Sequence, residues 1–182
     1  EALQEGDIDD PEISKQFLEK ASRNVDRLAF FIKDLDAISK LESGEIPVNY
    51  DRFNLTDLIH EVIDSLELKA KKYNITLHFK EKYHGPAWVY ADREKIRQVL
   101  VNLIDNSFKY GKSGGNTSIK TFELHDQILV EITDDGIGIE EKYLPRLFER
   151  FYRTDKSRSR QIGGSGLGLA IVKHIIEAHQ QT

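Results

Sequence analysis

An apolar seam near the N-terminus restricts this chain more than any other feature. Leu18, Ala21, Val25, Leu28, Ile32 and Leu35 recur in alternating steps of three and four, and Phe17, Phe31 and Ile38 widen the stripe. That spacing is a heptad pattern on a helix, and a stripe so broad leaves too much apolar surface for a solitary surface helix. Asp10-Pro11-Glu12 is a strong helix start: Asp caps, Pro suits the first helical position, and Glu complements the helix dipole. Ser43-Gly44 is a good stop. The preceding Glu1-Ala2-Leu3-Gln4-Glu5-Gly6 reads as the tail of an earlier helix. Residues 1–44 are therefore expected to be part of a helical hairpin that seeks helical partners. A helix packed on its own domain is the alternative.

The chain of 182 residues suffices for one packed domain plus an appendage, or for two small domains. A net charge of −5 argues against a general nucleic-acid or anionic-membrane binder. There is no Cys, which excludes disulfide scaffolds and thiolate metal sites, and no apolar run approaches the roughly 20 residues that span a bilayer. There is also no Met, so Glu1 is expected to be an internal residue of a longer protein.

Beyond Ile46 the pattern changes. Pro47-Val48-Asn49-Tyr50 looks extended. Asn54 then caps a helix carrying Leu58, Ile59, Val62, Ile63 and Leu66 on one side, with Asp57 in its first turn. Ile75 to Phe79 alternates as a strand does, and Ala87 to Tyr90 is a second extended run. Asp92 caps a third helix. Thr117–Glu123 and Gln127–Thr133 read as a hairpin around Leu124-His125-Asp126, and a last helix runs from about Leu167 to His179. The fold class is α+β, with a boundary between Ser43 and Asp51.

Three stretches invite a phosphate-binding interpretation. Gly111-Lys112-Ser113 resembles the end of a P-loop, but Asn106 stands where the first Gly belongs and a helix precedes it instead of a strand. Asp134-Asp135-Gly136-Ile137-Gly138-Ile139 follows a strand, yet Glu141 occupies the third Gly position of a dinucleotide fingerprint and no βαβ unit surrounds it. Gly163-Gly164-Ser165-Gly166-Leu167-Gly168-Leu169 opens the last helix, where glycines and a helix N-terminus suit an anion, and Arg153, Lys156, Arg158 and Arg160 lie upstream. On the third helix, Asn102, Asn106, Lys109 and Tyr110 fall within one arc of about 100°, opposite Ile96, Leu100, Leu103 and Ile104. Two amides, an ammonium and an aromatic suit a nucleotide with a divalent cation.

The order of these segments is more specific than any one of them. Asn102-x-x-x-Asn106-x-x-Lys109-Tyr110, Asp134-x-Gly136-x-Gly138-Ile139, Leu147-Phe148-Glu149-Arg150-Phe151-Tyr152-Arg153 and Gly164-Ser165-Gly166-Leu167-Gly168-Leu169 resemble, in sequence order, the N, G1, F and G2 boxes of sensor histidine kinases of two-component systems. The resemblance spans Asp51 to His179, and Glu1 to Gly44 is similar to the family's dimerising hairpin. It implies a helical-hairpin dimerisation segment (1–44) followed by an α/β sandwich ATP-binding domain (51–182), the Bergerat fold. It implies ATP and Mg²⁺ as cofactors, with a buried Asp134 carboxylate accepting from the adenine amino group and rejecting guanine. Gly136, Gly138 and Ile139 would pass close to the base, Tyr110 would pack beside base or ribose, and Asn106 would ligate Mg²⁺. Lys109 and Arg153 would neutralise phosphate charge. A lid from about Thr154 to Ser165 would bring Gly164, Ser165, Gly166, Leu167 and Gly168 to the phosphates. Asn102 stands where hydrolytic relatives, gyrase and the heat-shock chaperones, place a Glu base. An amide cannot take a proton from water, which favours a protein acceptor.

The resemblance also implies a homodimer through the hairpin and a response-regulator receiver domain as the next phosphate acceptor, with no nucleic-acid partner. A cytoplasmic fragment is expected, and whether the parent is an inner-membrane sensor stays open. The family's His-Glu/Asp-x-x-x-Pro acceptor motif is missing here: His60-Glu61 is followed by Ser65 in place of Pro. The acceptor is expected upstream of Glu1, so this stretch by itself is expected to bind nucleotide without autophosphorylating. Asp135 departs from the Asn more usual in the family, and the family's closing strand pair would follow Thr182.

Overall fold

A computed structural model describes residues 11–42, 48–81, 86–154 and 165–182. The apolar seam forms α1, Pro11–Glu42, a helix of 32 residues. Leu18, Val25, Leu28 and Ile32 are each more than half exposed on the single chain, so the seam itself stays uncovered. Asp10, Ser43, Gly44 and the expected earlier helix lie outside the described residues.

The first strand differs from expectation. Residues 48–50 carry no regular structure, and β1 is Asp51–Asn54, paired antiparallel with β3, Trp88–Ala91, with Phe53 opposite Val89. Of β1 only Phe53 is buried, so its sequence shows no apolar alternation to announce a strand. Asn54 ends β1 and starts α2, Leu55–Tyr73, its side chain accepting from the Thr56 N–H at 3.1 Å. The helix closes on Asn74 in the left-handed region, φ 53°, whose N–H returns to the Ala70 and Lys71 carbonyls.

The main sheet has the order β2 (Thr76–Glu81), β4 (Asn116–Leu124), β5 (Gln127–Asp134). β2 runs parallel to β4, and β4 and β5 form the expected hairpin, turning at His125 with φ 55°. Thr117, Ile119 and Thr121 point inward at alternate positions of β4. α2 and α3, Arg93–Tyr110, pack against this sheet through Leu58, Ile59, Val62, Leu100, Ile104 and Phe108. A buried hydroxyl pair pins α3 to β4. Ser107 Oγ donates to the Ile104 carbonyl (2.7 Å) and therefore accepts from Thr117 Oγ1 at 2.9 Å.

The opposite flank of α3 meets α4, Gly168–Ala178. Val99, Leu167, Ala170, Ile171, Val172 and Ile175 form a second apolar cluster, and Leu103 packs against it. His179 closes this contact. Its Nδ1 lies 2.7 Å from the Ile175 carbonyl and its Nε2 accepts from the Asp92 N–H at 3.0 Å, which assigns the neutral ring with the proton on Nδ1. The Asp92 carboxylate meanwhile caps α3 through Lys95 N (3.1 Å) and accepts from Asn49 N (3.0 Å). Replacing His179 by Leu leaves the buried Asp92 N–H without an acceptor and should lower stability by about 1–3 kcal/mol. Urea unfolding of His179→Leu against wild type measures this.

Candidate nucleotide site

Four segments converge on a cleft of about 580 Å³. α3 supplies Asn102, Asn106, Lys109 and Tyr110, the end of β5 and its loop supply Asp134, Gly136, Gly138 and Ile139, and Arg153, Ser165, Gly166 and Gly168 close the far side. The arc inferred from helical spacing thus lies on one wall. Gly164 falls outside the described residues, as does most of the expected lid. Leu167 does not line the cleft. Its side chain is fully buried in the α3–α4 cluster, and its N–H donates to Ser165 Oγ at 3.1 Å.

The β5 loop is shaped by close backbone approach. A Cβ on Gly136 would overlap the Tyr110 carbonyl oxygen and stand 2.7 Å from Asp134 Oδ1. That leaves room for glycine alone, and the Ile137 N–H donates to the same Tyr110 carbonyl at 3.1 Å. Asp134 accepts from the Gly136 N–H at 2.9 Å. Asp134, the last residue of β5, is exposed in the cleft rather than buried. Asp135 is a structural clasp: it accepts from Asn116 N at 3.0 Å and faces Lys112 Nζ at 3.6 Å. The hydrogen bond from the Asn116 backbone, against slight desolvation, holds its carboxyl below the usual range.

The far wall is tied by backbone contacts. Phe151 N donates to the Gly166 carbonyl at 2.9 Å, and a Cβ on Gly166 (φ +73°) would lie 2.9 Å from Phe151 Cα. Asn102 Nδ2 donates to the Gly168 carbonyl at 3.4 Å, linking α3 to the start of α4. Nη2 of Arg153 is buried with no hydrogen-bond partner among the described residues. A buried guanidinium donor left open at a cleft wall fits an anionic ligand.

Two charged residues grouped with Lys109 stand outside the sequence motifs. Asp105 lines the cleft and pairs with Lys109 Nζ at 2.7 Å and with Lys69 of α2. Burial works to raise the Asp105 carboxyl, but the ammoniums of Lys109 and Lys69 paired with it outweigh burial and hold it below its usual value. The spacing of Asp105 and Lys109, four apart on a helix, was the available signal; Lys69 had none, since only packing brings α2 to it. The remaining candidates are structural. Glu61 of the tempting His60-Glu61 pair is engaged by Arg93 and Arg97. Ser113 accepts from Asn74 Nδ2 at 3.0 Å, so the Gly-Lys-Ser stretch serves as a loop clasp.

The model of the histidine kinase-, DNA gyrase B- and HSP90-like ATPases matches residues 91–182, which hold every described residue of the cleft. The chain belongs to this ATPase family. Its relatives within the family are sensor histidine kinases. It is 34% identical over 181 residues to sensor histidine kinase WalK of Bacillus subtilis (strain 168), which covers 98% of this chain and 29% of that protein. The chain thus spans less than a third of that relative. Among solved structures, the Acinetobacter baumannii histidine kinase AdeS superposes with a TM-score of 0.74 at 26% identity, over 97% of this chain and 78% of that one. Histidine kinase ThkA, solved in complex with the response regulator protein TrrA, gives 0.76 at 28% identity, over 97% and 48%. The α+β fold is therefore that of the ATPase family, with a helix ahead of it as in these kinases. Among the described residues no helix is long and apolar enough to cross a membrane.

The lowered Asp105 carboxyl has a consequence for stability. A carboxylate whose pKa falls on folding contributes stability above its unfolded value, near 3.8, and loses that contribution as pH drops through the folded value. The stability difference between wild type and Asp105→Asn, measured by urea unfolding, should therefore shrink as pH is lowered from about 6 to about 3.

Proposed function

We propose that the chain is the catalytic core of a two-component sensor histidine kinase: residues 51–182 bind Mg²⁺-ATP and deliver the γ-phosphate to a histidine of the dimerisation hairpin, from which a response-regulator aspartate receives it. The observation that carries this is the meeting of the Asn102–Tyr110 wall, the Asp134–Gly138 loop, the Arg153 guanidinium and the Ser165–Gly168 backbone on one cleft. The donor set fits the ligand. Asn106 offers the oxygen that Mg²⁺ prefers, Lys109 and Arg153 offer cations for a polyphosphate, and the exposed Asp134 carboxylate can accept from an adenine amino group. Bound Mg²⁺-ATP supplies the transferable phosphoryl group; the protein's part is to place and neutralise it.

Asn102 bears on which acceptor is used. Its amide hydrogen-bonds to the Gly168 carbonyl and has no basicity with which to activate water, so Asn102 cannot serve as the base for hydrolysis. The exposed seam of α1 suits a second copy of the chain, because a heptad stripe buries itself best against another helix of the same kind. A response regulator as partner is supported by the ThkA–TrrA complex. We assign residues 1–44 to the dimerising hairpin and 51–182 to the catalytic domain on the same grounds.

Thermal unfolding with nucleotide tests the assignment. At 100 times its dissociation constant Mg²⁺-ATP should add about 2.7 kcal/mol of stability. GTP should add little, Asp134→Ala should abolish the ATP shift, and Asn106→Ala should remove its dependence on Mg²⁺. An unchanged shift in Asp134→Ala would sink the assignment of the adenine site. Incubation with labelled ATP should leave no phosphohistidine on this chain, since none of its six histidines lies in the acceptor motif.

A further inference from the structure

Lys109 does not stand free in the cleft. Its ammonium is 2.7 Å from Asp105 Oδ2, and the other oxygen of Asp105 is engaged by Lys69 from the neighbouring helix α2. The exposures set this cluster apart from the surface pairs of the protein: the Asp105 and Lys109 side chains are 15% and 18% exposed, whereas both members of Lys71–Glu67 exceed 60%. Exposed pairs of the latter kind contribute little and hold nothing in place. The Asp105–Lys109 pair is different, because low dielectric strengthens the contact and Lys109 cannot leave without stranding the carboxylate, while Lys69, 41% exposed, engages the second oxygen from the neighbouring helix.

Resting on the function proposed above, we propose that Asp105 is a positioning residue: clamped by Lys69, it holds the Lys109 ammonium on the cleft wall where the nucleotide phosphates are to be met. A lysine has four rotatable side-chain bonds, and an unrestrained one must be ordered each time a ligand binds. Here that ordering takes place on folding. Lys69 supplies the second half of the device. When Lys109 turns part of its hydrogen bonding to a phosphate, Asp105 keeps a cation of its own and its negative charge is not left facing the anion. The cluster carries two ammoniums and one carboxylate, so its net charge still favours a polyphosphate.

Simple electrostatics and positioning give opposite signs, which makes the role testable. Removing a carboxylate beside an anion site should tighten ATP if charge alone matters. If Asp105 positions Lys109, its removal should weaken ATP and spare a ligand without phosphates. The measurement is the dissociation constant of Mg²⁺-ATP by calorimetry and of adenosine by NMR titration, for wild type, Asp105→Asn, Lys69→Met, Lys109→Met and the Asp105→Asn/Lys109→Met pair. Asp105→Asn is expected to weaken Mg²⁺-ATP about fivefold or more while adenosine changes by less than about twofold. Lys69→Met, outside the cleft lining and so a safeguard against misfolding, should act in the same direction by about twofold to threefold. In the Lys109→Met background Asp105→Asn should add almost nothing, because the residue acts through Lys109. Unchanged or tighter ATP binding in Asp105→Asn overturns the positioning role, and so does an equal loss for ATP and adenosine, which would mark a purely structural residue. A wild-type chain that takes up neither ligand overturns the nucleotide-binding function itself.

Discussion

The site depends on α3 being held at one rotation about its axis. Leu100, Ile104 and Phe108 are buried against the sheet, and Ser107 is bonded through its hydroxyl to Thr117 of β4. A rotation large enough to carry Asn106 out of the cleft would drag these side chains into water and break a buried hydroxyl pair. Burial of three large apolar side chains at about 1.5–3 kcal/mol each makes that prohibitive. Because side chains on a helix are rigidly phased, fixing the apolar face fixes the polar one. The second cluster, where Val99 and Leu103 meet α4, then locks α3 from its other flank and brings Gly168 within reach of Asn102.

Around this wall the cleft is closed largely by backbone. Tyr110 presents its carbonyl to Ile137 N, Gly136 passes where no Cβ fits, and Phe151 and Gly166 meet through main-chain atoms. Backbone contacts of this kind tolerate change in the side chains that face the ligand while holding their spacing. At the cleft wall the Asp134 residue is exposed, and the buried Arg153 Nη2 has no hydrogen-bond partner among the described residues.

Much of this was legible residue by residue. Asn54 and Asp92 announce their helices because capping is a local bond between a side chain and an N–H two or three residues away, and both bonds are present. The β4–β5 hairpin follows from alternation and turn chemistry, again local. β1 lies a few residues beyond the extended run at 47–50, because it buries only Phe53 and pairs with a strand more than thirty residues away. The spacing puts Leu103 on an apolar face but does not say that α4 covers it, because spacing reports an angle on the helix and not which neighbour occupies that angle. The family resemblance implies a buried Asp134, whereas its place at the end of β5 leaves it exposed.

The sequence by itself determined the family, the α+β order of elements and the helical arc of Asn102, Asn106, Lys109 and Tyr110, because each is encoded by short-range spacing or by motif order along the chain. Tertiary structure alone decided that Lys109 arrives already paired, that Lys69 of another helix shares its carboxylate, that Leu167 belongs to the core, and that Gly-Lys-Ser is a clasp for Asn74. Those facts rest on which distant segments touch. Contact between remote segments is settled by how whole faces bury against each other, and no local pattern carries that information.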